Sequence, residues 1–195
     1  LDIGTTRYRI IANNLKPADA PVRYPFIWNA PLQDRTQWPG FAPNGDVYVT
    51  DGYGNSRVMK FTKSGTFVRT WGRKGTGDGE FNLVHDSVLD AQGRLYVADR
   101  TNKRVQIFDM DGKFLGKWDD IGSPWGLAYV KSEDAIYICD GVNNRVAKVS
   151  TSGKFLGQFS GYGKIPGKLD FAHNIAIDST GAIYVAEIKN WRVQK

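Results

Sequence analysis

The sequence contains a single cysteine, only two histidines and no long apolar run. A single cysteine excludes an intrachain disulfide, and the place of Cys139 inside an apolar strand pattern predicts a small buried hydrophobic side chain. No stretch approaches the roughly 20 apolar residues that a membrane-spanning helix needs, and no segment has helical periodicity. Six Trp, nine Tyr and ten Phe are ample for a packed core. Strands must therefore build that core.

A short string returns four times along the chain, as YVTDGYGNSRV, YVADRTNKRV, YICDGVNNRV and YVAEIKNWRV. The arginines near its end recur 47, 41 and 47 residues apart, at Arg57, Arg104, Arg145 and Arg192. This period is close to the roughly 40 to 50 residues that one four-stranded propeller blade occupies. In the second repeat the runs VLD, RLYVAD, RVQIFD and KFLGKW are separated by turn residues, which predicts four short strands. The pattern predicts an all-β fold, a β-propeller.

The repeat accounts for residues 37–195, which we predict to form about four blades of a longer ring. Residues 1–36 do not match it. The stretch Lys16–Pro43 holds six of the eight prolines, so we predict residues 1–36 to be an irregular segment or the remnant of a preceding blade.

The recurring Asp, Asn and Arg of each string predict an architectural anchor, because a residue present in every blade cannot mark one site. We expect Asp51, Asp99 and Asp140 to close the second strand, Asn55, Asn102 and Asn144 to fill the turn, and the arginine to pair with an Asp of its own or a neighbouring blade. The formal net charge of +6 permits an acidic partner such as nucleic acid. The cations are spread along the repeat, however, which favours solvated, guarded strand edges.

The two histidines occupy the same place in different repeats, in NLVHDSVLD (His85) and DFAHNIAID (His173). The strand that each begins is the first of its blade, and in propellers this strand lines the central channel. Both imidazoles should therefore point toward a shared centre from one face of the ring. Imidazole is a common metal ligand, so the pair predicts a metal site.

The loops that follow the second strands should lie on the face that carries the histidines. In the first repeat this loop contains Tyr53 between two glycines, and in the second it contains the additional cation Arg100. The corresponding third-repeat residues, Gly141 and Val142, look inert. Either polar residue alone would be an ordinary loop residue, but sharing a face with both histidines favours a site.

The strings VTDGYGNSRVMKF, GEFNLVHDSVLDAQGRLYVADRTNKRVQIFD and DFAHNIAIDSTGAIYVAE resemble the NHL-repeat propeller of peptidyl-α-hydroxyglycine α-amidating lyases and their bacterial relatives. The resemblance covers Gln37 to Lys195. It implies a six-bladed propeller that holds Zn²⁺ through three histidines, two of which match His85 and His173. The catalytic tyrosine of the family falls on Tyr53, and a catalytic or substrate-binding arginine falls on Arg100.

The implied reaction cleaves a C-terminal peptidyl α-hydroxyglycine to a peptide amide and glyoxylate, with Zn²⁺ acting as a Lewis acid, Tyr53 taking the hydroxyl proton and Arg100 holding the carboxylate. An extracytoplasmic location, secreted or periplasmic, is also implied. This chain departs from the family in two ways. A third zinc histidine is missing, and Asn174 stands where the family has an aspartate linked to structural Ca²⁺, which keeps the oxygen but loses the charge.

Two other function classes stay open. A non-catalytic NHL module could bind protein or single-stranded RNA through this face, using Arg73, Lys74, Arg100, Lys103 and exposed aromatics such as Tyr53, Trp125 and Tyr162. A lactonase-like hydrolase would need acidic and amide ligands in the channel, for which only Asp86 and Asn174 are available.

Overall fold

The structure, a computed structural model, describes residues 39–41 and 44–195, and the predicted segment 1–36 lies outside this part. The described residues form four antiparallel sheets, each built from strands consecutive in sequence. The first sheet comprises β1 (Pro39–Phe41), β2 (Val47–Asp51), β3 (Arg57–Phe61) and β4 (Phe67–Trp71). The second comprises β5 (Val84–Leu89), β6 (Leu95–Asp99), β7 (Arg104–Phe108) and β8 (Phe114–Trp118). The prediction of four strands per blade is confirmed for both.

The third sheet comprises β9 (Pro124–Val130), β10 (Ala135–Asp140), β11 (Arg145–Ser150) and β12 (Phe155–Phe159), with a 3₁₀ helix (Lys131–Glu133) between its first two strands. The fourth comprises β13 (Ala172–Ile177), β14 (Ile183–Glu187) and β15 (Arg192–Gln194). None of the helices within these residues is long and apolar enough to cross a membrane.

The core lies between neighbouring sheets. One apolar cluster, which includes Tyr48, Phe81 and Phe108, joins the first and second sheets. A second cluster around Trp118 and Leu127 joins the second and third sheets. A third joins the third and fourth sheets and contains Cys139, which is fully buried, as predicted. The described sheets thus bury the faces that they turn toward one another, as a propeller requires.

The first strand of each blade is the inner one. Strands β5, β9 and β13 pack side by side, whereas the fourth strands β4 and β12 are largely exposed. We call the face on which β5, β9 and β13 begin the upper face. The β2–β3, β6–β7, β10–β11 and β14–β15 loops lie on it, because each second strand runs antiparallel to the first. The sequence therefore predicted correctly which loops accompany the histidines.

The anchor arginines pair within their own blades. Nε lies 2.8 Å from a carboxylate oxygen in the pairs Arg57–Asp51, Arg104–Asp99 and Arg145–Asp140, and 2.6 Å in Arg192–Glu187. Asn55 and Asn102 donate to the same carboxylates.

Asn144 fills the turn, as predicted, but it is not the structural equivalent of Asn55 and Asn102. Asn143 donates to Asp140, while Asn144 takes the left-handed position before the arginine (φ 56°) and accepts from Phe171 N. Asn144, directly before Arg145, takes the left-handed turn conformation, and Asn143 donates the hydrogen bond to the anchor carboxylate.

Candidate functional site

The second residues of three inner strands meet at the upper face. These residues are His85 in β5, Trp125 in β9 and His173 in β13. The two imidazole centroids are 4.8 Å apart, and the Trp125 ring centroid lies 4.8 Å from His85 and 5.3 Å from His173. The predicted convergence of the two histidines is therefore present, with an indole packed against both.

Tyr53 reaches the same place from the first blade. Its loop has one residue more between the anchor carboxylate and the arginine than the other three loops have, as the sequence shows. Gly52 lets this loop approach the next blade, since a Cβ there would lie 1.6 Å from the Val84 carbonyl oxygen. The phenol ring lies 6.1 Å from the His85 ring and is 75% exposed, so it stands at the mouth of the cluster.

Arg100 joins the tyrosine to the indole. Its Cζ lies 3.8 Å from the Trp125 ring centroid and 5.5 Å from that of Tyr53. Its Nη1 donates to Tyr53 Oη at 3.3 Å. The structure thus brings all four predicted site residues, Tyr53, His85, Arg100 and His173, into one cluster.

Both histidines are held in the neutral form that binds metals. Burial, together with the nearby His173 and Arg100, lowers the pKa of His85 to about 4. Burial and Arg100 also lower the pKa of His173. His85 Nδ1 lies 2.6 Å from the Trp125 carbonyl oxygen, which can only accept, so Nδ1 carries the proton and Nε2 the lone pair. Metal-bound histidines are commonly oriented by such a backbone bond.

The donor set suits Zn²⁺ but is partial. His85 and His173 supply two neutral imidazoles, and among the described residues no three His, Cys, Asp or Glu side chains cluster closely enough to hold a metal. Two protein ligands leave coordination positions for substrate or water, as in catalytic rather than closed structural zinc sites. A third protein ligand is not found among these residues.

The residues that follow the histidines are engaged by the channel wall. Asp86 is buried, which raises its pKa to about 8, and its carboxylate oxygens accept from the backbone N–H of Ser87 and Leu127. Asn174 Oδ1 accepts from Ile175 N at 2.7 Å. These oxygens accept hydrogen bonds from backbone N–H groups of the strands and do not point to a ligand site in the channel. The hydrolase alternative therefore gains no support.

Sequence reasoning misplaced Trp125. The sequence predicts an exposed aromatic at this position, but Trp125 is half-buried and its indole nitrogen is fully buried, whereas Tyr162 is 69% exposed. An alignment of inner strands could have found it. The equivalence of Trp125 to the histidines is hidden by a difference in spacing. Each histidine lies 11 residues before the tyrosine of its repeat, whereas the 3₁₀ turn places Trp125 12 residues before its tyrosine.

Gly141, which looks inert in the sequence, also contributes to the site. A Cβ there would lie 2.8 Å from Trp125 Cδ1 and 2.7 Å from the Ala172 carbonyl oxygen. The glycine therefore makes room for the indole.

Comparison with known proteins decides the repeat class. A family model described as a 6-bladed beta-propeller matches residues 42–119. NHL repeat-containing protein 3 of Homo sapiens is 35% identical over 160 residues, which cover 77% of this chain and 46% of that protein. The chain is an NHL-repeat β-propeller. It spans about half the length of this relative.

The propeller is also similar to amidating enzymes. A probable peptidyl-alpha-hydroxyglycine alpha-amidating lyase of Caenorhabditis elegans is 37% identical over 70 residues, covering 34% of this chain and 20% of that protein. Among solved structures, a streptogramin B lyase superposes with a TM-score of 0.60 at 17% identity, covering 80% of this chain and 49% of the other. At that identity the likeness shows the fold alone.

Proposed function

We propose that this propeller belongs to a zinc-dependent lyase that cleaves peptidyl α-hydroxyglycine to a peptide amide and glyoxylate. The observation that carries the proposal is the cluster of Tyr53, Arg100, His85 and His173 at one face of the ring. These are the four residues that resemble the site of amidating lyases, and they come from three different blades. The similarity to the nematode lyase supports the same reading.

His85 and His173 would hold the Zn²⁺ ion, with the Trp125 carbonyl orienting His85. When bound, Zn²⁺ supplies Lewis acidity toward the substrate hydroxyl. Structural Ca²⁺ gains no support, because Asn174 is neutral and its oxygen accepts a backbone bond.

Tyr53 is placed to move the proton. Its phenolate oxygen accepts the proton of the α-hydroxyl, and the new C=O bond forms as the carbon–nitrogen bond breaks. The bonding pair leaves on the amide nitrogen, which takes back the proton, so the products are a neutral amide and the glyoxylate carboxylate. The Arg100 guanidinium donates a hydrogen bond to Tyr53 Oη at 3.3 Å and so holds the oxygen that handles the proton. Its remaining N–H groups can hold the substrate carboxylate.

The exposure of the site fits a peptide substrate. Tyr53 is 75% exposed while His85 is 4% exposed, so the cluster has an open rim and a closed floor. A C-terminal hydroxyglycine can enter, and the rest of the peptide can remain outside. A peptide substrate in turn favours an extracytoplasmic location, which we include in the proposal.

A non-catalytic binding module is the second candidate. Tyr53 and Tyr162 are exposed aromatics of the upper face, and the human NHL repeat-containing protein 3 matches more of this chain than the lyase does. The surface predicted for it is less cationic than expected, because Arg73 pairs with Glu80 at 2.8 Å. A protein partner suits it better than RNA.

The test is glyoxylate release by the full-length protein from a peptide ending in α-hydroxyglycine. We expect release to need Zn²⁺, to stop with a chelator and to fall at least about a hundredfold in Tyr53→Phe, because a positioned proton acceptor contributes that much. Tyr162→Phe, another exposed tyrosine of the upper face, should retain activity. Full release without Zn²⁺, or none from folded, zinc-loaded protein, would reject the lyase and favour the binding module.

A further inference from the structure

Arg100 has an unusual environment for an arginine at a half-buried position. Among the residues that the structure describes, it forms no ion pair with a carboxylate, whereas the four anchor arginines all do. Its guanidinium instead lies near two aromatic rings, with Cζ 3.8 Å from the Trp125 ring centroid and 5.5 Å from that of Tyr53. No carboxylate in the described part of the chain pairs with this positive charge, and the guanidinium is therefore suited to bind an anion.

The Trp125 indole is held rigidly. Its ring packs against both imidazoles and meets Phe171 edge-on, with the ring centroids 4.7 Å apart. On the other side, Gly141 leaves no more room than the indole needs, since a Cβ would come within 3.0 Å of Nε1. The indole nitrogen is buried and donates to no group in the described part of the chain. Packing alone thus fixes the plane of the ring.

We infer that Trp125 is a positioning residue for ligand binding: its indole face holds the Arg100 guanidinium toward the carboxylate of a small 2-oxo or 2-hydroxy acid group. This rests on the proposed function, in which that carboxylate belongs to the hydroxyglycine. An arginine side chain has many rotamers, and holding one of them before the ligand arrives removes an entropic cost from binding. A planar guanidinium stacked on an indole keeps its edge N–H groups directed outward.

A purely structural role for Trp125 would predict a different neighbourhood. Core aromatics of this propeller, such as Trp118, pack among aliphatic and aromatic side chains. Trp125 instead contacts two imidazoles and a cation, and its own carbonyl orients His85. Besides Phe171 and Gly141, the groups that pack against it are His85, His173 and Arg100, to which the proposed reaction gives roles.

The experiment measures glyoxylate binding by following the Arg100 side-chain NMR signals and, for variants without Arg100, by calorimetry. In the zinc-loaded wild type, the Arg100 signals should show the upfield shift of a group above an indole face and should move with glyoxylate. Trp125→Leu should lose that shift and bind glyoxylate about tenfold more weakly, and Trp125→Phe should recover most of the loss. Binding by Arg100→Met/Trp125→Leu should be no weaker than by Arg100→Met alone, since Trp125 acts through Arg100.

Gly141→Ala provides a second route, because it displaces the indole from the opposite side and should weaken glyoxylate binding in the same way. Unchanged binding in Trp125→Leu, additive losses in the double variant or absence of the upfield shift would each overturn the inference. The outcome is separable from the proposed function. Glyoxylate binding that depends on Trp125 without any glyoxylate release would reject the lyase and keep the positioning role.

Discussion

The anchor arginines should differ widely in their contribution to stability, although the sequence repeats them. Arg104 is the buried extreme: its side chain is 5% exposed and its Asp99 partner is fully buried. Besides that carboxylate it donates to three backbone carbonyls, of Thr76, Gly77 and Glu80. Arg104→Met would leave a buried carboxylate without its cation and three carbonyls without that donor.

We expect Arg104→Met to lower the free energy of unfolding by about 3–5 kcal/mol, the usual cost of removing one partner of a buried pair. Arg57→Met is the matched control. Its side chain is 37% exposed and its one carboxylate partner is Asp51 at 28% exposure, so the loss should be about 1 kcal/mol or less. Urea titration followed by circular dichroism measures both. Equal losses for the two variants would refute the argument that burial, and not the motif, sets the contribution.

Two further predictions concern the site. Gly52→Ala should destabilise the protein by about 3 kcal/mol in thermal denaturation, because the new Cβ would clash with the Val84 backbone oxygen. Gly54→Ala in the same loop is the control: its Cβ would have no neighbour within 4 Å, so stability should change little. The pKa of His85 is lowered from its ordinary value of 6.5 to about 4 in the folded chain. Between pH 6.5 and about pH 4 the unfolded chain therefore binds more protons at this residue than the folded chain does. Relative to His85→Gln, the metal-free wild type should therefore lose about 3 kcal/mol of stability as the pH falls through that window, and a pH-independent difference in urea titrations would contradict this.

Much of the architecture follows from the period of the sequence. The spacing of Arg57, Arg104, Arg145 and Arg192 predicted the blades. The common place of His85 and His173 predicted their meeting, because equivalent places in different blades converge on one axis. Tyr53 and Arg100 were placed correctly by the same symmetry, since a loop after a second strand lies above the start of an inner strand. Repetition converts one local pattern into a three-dimensional prediction.

The sequence could not predict contacts made by rotamers across blade boundaries. The stacking of Arg100 on Trp125 depends on where a long side chain turns, and the role of Gly141 depends on an indole from another strand. The lowered pKa of His85 depends on burial that only the packed ring provides. Likewise, Asn143 and Asn144 are adjacent and identical, and only backbone geometry separates the hydrogen-bond donor from the turn residue.

The row of rings Tyr53, His85, Trp125 and His173 takes one member from each of four consecutive blades. A ligand that contacts the whole row therefore spans three interfaces between neighbouring blades. It can make all of these contacts only when the three interfaces are formed. By linkage, such a ligand stabilises the packed blades by the difference between its binding free energies for the packed and the separated blades. Occupancy of this site would then report whether the four sheets are packed against one another.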